Sequence, residues 1–169
     1  MTSRALRILL TSRADGGAVL RCERADGSVT WQRHEGRNAQ FFPLHDLTHY
    51  AAETTLGARR GFFGLVADGW DIADTGGKGA RGPLPAQALL VEHLVGFLDA
   101  ERASGSRWTA ADFQAQAAQV VAEHGESVGT VPTDEMLASI RARRAELFAR
   151  WAALEVGGTL ELTFDPDAP

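Results

Sequence analysis

A chain of 169 residues, 44% apolar and 23% charged, is long enough to bury a core and has the composition of an ordinary globular domain. Its net charge of −5 excludes a general nucleic-acid binder, because no excess positive field draws phosphates. No apolar run approaches the roughly 20 residues needed to cross a bilayer, so neither nucleic acid nor membrane is an expected partner.

The single cysteine, Cys22, forbids an internal disulfide and fits a reducing cytoplasm. No small-residue cleavage site follows the opening Met1-Thr2-Ser3-Arg4, so no signal peptide is expected and the protein reads as cytoplasmic. The basic residues are arginines except Lys78, which with the abundant alanine reads as the coding bias of a GC-rich bacterial genome.

In chain order, Leu6, Ile8 and Leu10 alternate with Arg7 and Thr11, the period of a strand with one buried face. Ala14-Asp15-Gly16-Gly17 turns the chain into a second strand, Val19–Glu23. Asp26-Gly27 marks a hairpin, because both central positions of the favoured turn need positive φ. A third strand over Val29–Arg33 sets Val29 and Trp31 on one face, Trp31 being one of the tryptophans read mainly as core anchors. A helix opens at Pro43, where a missing N–H costs nothing, and Gly57 ends it.

The short apolar piece Phe62–Val66 leads into a glycine-rich loop over 68–83 with no periodicity. A second helix runs from near Pro85 to Phe97-Leu98, with an apolar surface broad enough for a central buried helix. Thr109 and Asp112 form a capping box for a third helix that Gly125 stops. The last helix is capped at Thr133 and ends at Gly157-Gly158; Leu137, Ile140 and Leu147 lie on its inner stripe and Arg141, Arg143 and Arg144 on a solvated face. Thr159–Phe164 alternates again and should pair with the N-terminal meander, leaving 165–169 as a loose tail. The expected fold is a single α+β domain over 1–169: a small antiparallel sheet of about four strands, three N-terminal and one C-terminal, against about four helices.

The chemistry concentrates between Pro43 and Glu53. His45 and His49, four apart on a helix, point the same way one turn above the other, and Glu53 repeats the step. They lie on a flank beside the core face formed by Leu44, Leu47, Thr48, Ala51 and Thr55, so they should border a cleft. Two imidazoles and a carboxylate are a ligand set for a divalent ion, zinc above all. Three donors at this spacing span about 12 Å of helix axis. Either Glu53 completes the shell, or it orients His49 and the third ligand comes from Asp68, Asp71, Asp74 or Glu92.

The segment His45-Asp46-Leu47-Thr48-His49 resembles the H-E-x-x-H motif of metalloproteases with Asp for Glu, which implies Asp46 as the base that activates a metal-bound water. The His45-Asp46 pair is also similar to the dyad of HD-type phosphohydrolases, a family of all-helical proteins. The function expected is a metal-dependent hydrolase of a small or peptide-like substrate. His45, His49 and Glu53 bind the ion, Asp46 and Glu53 are catalytic, and Trp70, Lys78 and Arg81 on the 68–83 loop bind substrate. The competing expectations are a protein-interaction module in which the same patch is structural, with a homodimer as one form of partnership, and metal-free acid–base catalysis by His49 and Glu53.

Overall fold

The alternating segments build one four-stranded antiparallel sheet in the order β3-β2-β1-β4. The strands are β1 (Leu6–Ser12), β2 (Ala18–Arg24), β3 (Val29–His34) and β4 (Thr159–Phe164). The computed structural model describes residues 3–168; Met1 and Thr2 of the opening segment and Pro169 of the expected tail lie outside the described residues. Register follows the hydrophobic pattern, with Ile8 opposite both Cys22 and Leu162, and Leu10 opposite both Leu20 and Leu160. These pairs bring the buried side chains of three strands onto one face.

Edge strand β3 departs from the expectation. Trp31 is 59% exposed and lies with Val29 on the outer face, while Thr30 and His34 are the buried residues. The inner side of β3 is polar because it faces the 3-10 turn Ile72–Gly76, where Thr30 Oγ1 accepts the Ile72 N–H, and because His34 bonds to a helix below. A tryptophan on this strand would need that side to be apolar.

Among the described residues are five helices: α1 (Phe41–Leu56), α2 (Phe62–Ala67), α3 (Ala86–Ser104), α4 (Ala110–His124) and α5 (Asp134–Ala152), with α2, α3 and α5 packed on α1 and α4 on α3. The short apolar piece before the glycine-rich loop is thus a helix of its own. Gly57 stops α1 in the left-handed conformation, φ 60°, and its N–H bonds Glu53 O. The Thr109–Asp112 capping box and Thr133 cap begin α4 and α5.

Helix α3 continues past Leu98 to Ser104, carrying two buried acids, Asp99 and Glu101, beyond the apolar run. Each acid has a partner that makes burial tolerable. The arginines of α5 are not all solvated as expected: Arg141 bonds Glu101 and the Trp108 carbonyl, and Arg144 donates to Leu98 O. Within the expected loose tail, Asp167 pairs with Arg4 and the Ala168 N–H donates to Asp165 O.

The Glu101–Arg141 pair sets an acid limit on the fold. Burial pushes the Glu101 carboxyl up, but bonds from Arg141 and the Trp108 N–H (2.6 Å) outweigh it and hold the pKa below the usual glutamate range. A depressed folded pKa gives stability that is present above the unfolded value of about 4.3 and lost as pH falls through the folded one. Glu101→Gln should therefore cost about 3 kcal/mol at pH 7. In urea melts its deficit should shrink as pH is lowered below about 4.3; a deficit independent of pH rules this account out.

Candidate metal centre

Helix α1 packs against α2, α3 and α5 and bonds to the sheet at His34 and Thr163, and every residue from Asp46 to Ala52 is buried, as is Glu53. Its polar side chains are satisfied locally where they can be: Thr48 Oγ1 donates to Leu44 O and Thr54 Oγ1 to Tyr50 O. The flank expected to border a cleft is deeper than that. His49 is 1% and Glu53 0% exposed, and His45 alone of the three keeps partial access to solvent.

Each histidine of the pair is gripped from behind by a carboxylate. A carboxylate only accepts, so each bond fixes a proton on Nδ1. His45 Nδ1–H donates to Asp99 Oδ2 at 2.7 Å, and His49 Nδ1–H to Glu53 Oε1 at 3.2 Å. Nε2 is then the nitrogen left to face other groups, and on His49 it lies 3.3 Å from Glu92 Oε1. His45, His49 and Glu92 each offer one donor atom, and the three atoms lie within 4.8 Å of one another, a group that can hold a metal ion.

The third donor of this triad is Glu92, from α3, in place of Glu53. The reason is the direction of the Glu53 side chain. Its Oε2 accepts the N–H groups of Phe63 and Gly64 at the start of α2, at 3.0 and 3.3 Å, and its Oε1 lies on the Nδ1 side of His49. Helix rise separates Glu53 from His45 by two turns, whereas the neighbouring helix brings Glu92 up to both histidines.

Electrostatics follow from this packing. Burial works to lower the His49 pKa, but the carboxylates of Glu92 and Glu53 prevail and push it up to about 10. Burial raises Glu53. It also acts to raise Glu92, yet the charge of His49 leaves that carboxyl below its ordinary value. The proton held between two acids occupies the place a cation would take.

Asp46 lines the same cavity and carries its own partner: His34 Nε2–H donates to Asp46 Oδ2 at 2.6 Å, with the His34 ring stacked on Phe42. The cavity holds about 560 Å³. Its apolar wall is Phe42, Phe62, Ile72, Ala73, Leu84 and Leu89; its polar residues, beyond the triad and Asp46, are Gln32, His34 and Thr75.

The 68–83 segment does contribute to this wall, through the 3-10 turn and Leu84 just after it, but Trp70, Lys78 and Arg81 are not among the lining residues. Arg81 donates to Gly69 O and lies over the Trp70 ring, so these two satisfy each other, and Lys78 is exposed. The loop acids are engaged elsewhere, Asp68 with Arg4 and Asp71 with Arg24. Asp74 packs against Gly79.

Sequence reasoning missed Asp99 and His34 as partners. Asp99 stands seven residues after Glu92, on the same side of α3 two turns on, but the apolar run ends one residue before it. His34 continues the Thr30-x-Gln32-x-His34 alternation, a polar stripe on an otherwise apolar sheet.

Gly61 completes the support. A Cβ at this position would meet Glu53 Cδ at 2.5 Å and Oε2 at 2.6 Å. Gly61→Ala should therefore push Glu53 off His49, costing about 1–3 kcal/mol and weakening metal binding without touching a ligand. Calorimetric titration with zinc and a thermal melt of this variant read both effects; unchanged zinc affinity would separate Glu53 from the metal centre. Comparison with protein-family models, with curated proteins and with solved structures finds no match to this chain.

Proposed function

We propose that this protein is a metal-dependent hydrolase of small or peptide-like molecules, with His45, His49 and Glu92 as the ligands of a divalent ion, zinc in the first instance. The observation that carries the reading is the pairing of the triad with its supports: two histidines whose Nδ1–H groups are held by Asp99 and Glu53, each with a donor atom close to one Glu92 carboxylate. Two imidazoles and one carboxylate leave a fourth tetrahedral position open, the arrangement of catalytic rather than structural zinc. Carboxylates behind the histidines fix ring orientation and raise ligand basicity.

A bound ion in such a shell supplies Lewis acidity toward a carbonyl and toward water. The protein's own groups supply the rest. Asp46 lines the cavity beside the triad with its Oδ2 accepting the His34 Nε2–H, and its carboxylate is the group to take a proton from a nucleophile. The apolar wall excludes water and strengthens every charge interaction within.

The test is elemental analysis of purified protein after zinc loading and desalting, followed by hydrolysis of 4-nitrophenyl acetate and of amino-acid 4-nitroanilides. One ion per chain and hydrolysis that a chelator abolishes are the expected results. Zinc without hydrolysis overturns the enzyme reading and leaves a metal protein. No zinc overturns both, and the His-carboxylate network is then structural, as in an interaction module.

A further inference from the structure

The charge inventory of the cavity narrows what it takes. Among the described residues that line it there is no lysine or arginine. Asp46 and Glu92 face it, and Asp99 and Glu53 stand directly behind His45 and His49. Four carboxylates outnumber the two positive charges of a divalent ion, and they still do so with one of them protonated. The nearest cations of the loop, Arg81 and Lys78, lie outside the wall. The body of the cavity is aromatic and aliphatic, with Phe62 against His49 and Phe42 against both His34 and His45.

We infer that the cavity binds neutral or cationic small molecules that have an apolar, preferably aromatic body, and that it rejects anions. This rests on the same site as the proposed function, and it excludes phosphate esters and acidic peptides from the substrate range. An anion would meet Asp46 and Glu92, with Asp99 and Glu53 behind the histidines, and no lysine or arginine. The one buried cation of the metal-free site, His49, is already held between Glu92 and Glu53, and like-charge juxtaposition costs several-fold to many-fold in affinity.

Two independent arms test it. On zinc-loaded protein, benzohydroxamic acid, its 4-aminomethyl derivative and its 4-carboxy derivative share the metal-binding group and differ in distal charge. The neutral and cationic probes should bind about tenfold or more tighter than the anionic one. On metal-free protein, benzyl alcohol and benzylamine should shift the amide NMR signals of Gln32 and Thr75 at concentrations where benzoate does not. Ala73 is exposed on the cavity wall, so Ala73→Arg should reverse the order in favour of the carboxylates while leaving the fold unchanged.

Equal or tighter binding of the anionic probes to the unmodified protein overturns the inference. Failure to bind zinc, measured beforehand by calorimetry, overturns the metal reading alone, because the metal-free arm still decides the charge preference.

Discussion

Glu92→Gln is expected to weaken zinc binding by about 100-fold or more and to lower the melting temperature of the metal-free protein by only a few degrees, the smaller of its two effects. The substitution keeps size and a hydrogen-bonding group beside His49 Nε2 but removes the charge that a divalent ion needs from its only anionic ligand. Glu92 is half-buried at the edge of the site and Glu53 remains to hold His49, so the fold has other means of keeping the ring in place. Calorimetric titration and a thermal melt of the same sample separate the effects. If zinc affinity is unchanged, Glu92 is not a ligand. If stability collapses with it, the carboxylate is a buried structural partner of His49 and the metal reading loses its main support.

Glu53→Ala should act in the opposite order, with stability the larger loss. The substitution strips three hydrogen bonds from a site with no access to water, orphaning two backbone N–H groups at the start of α2 and one side of the His49 ring. Removing one partner from a buried charged pair costs about 3–5 kcal/mol, which for a domain of this size lowers the melting temperature by about 10 °C. Glu53→Gln keeps an acceptor for the Phe63 and Gly64 amides and should recover much of that stability. It should still bind zinc about 10–100-fold more weakly, because an amide grips the Nδ1–H less well than a carboxylate. A Gln variant with full zinc affinity would show that Glu53 serves the fold alone.

The contrast between these two glutamates shows what could be read from the chain. Period-2 alternation in Leu6-x-Ile8-x-Leu10 and Leu160-x-Leu162-x-Phe164, with glycine stops and Thr caps, made the α+β architecture legible, because burial on one face of a strand imposes that period. The His45–His49 pair was legible for the same kind of reason, since a helix alone puts i and i+4 together. Its surroundings were not. Glu92 and Asp99 come from a helix 47 and 54 residues after His45, and Glu92 entered only as one of several candidate third ligands. No local period says which face of α3 meets α1.

The polar inner side of β3 was misread in the same way. Thr30 and His34 make sense only once the 3-10 turn and Asp46 are seen beneath them, and a tryptophan in a strand argues for the core until its neighbours are known. Loop 68–83 showed its importance by length and glycine content but not which of its residues face the cavity, because side-chain direction in an irregular segment has no period to follow.

The measurement that tests the account most directly is anomalous diffraction at the zinc edge from crystals of zinc-loaded protein. The account predicts one strong peak in the cavity, within about 2.0–2.2 Å of Nε2 of both His45 and His49 and of a Glu92 oxygen, with Asp99 and Glu53 still bonded to the Nδ1 atoms. A cavity without zinc in crystals soaked at saturating zinc, or an ion held by other residues, would contradict it.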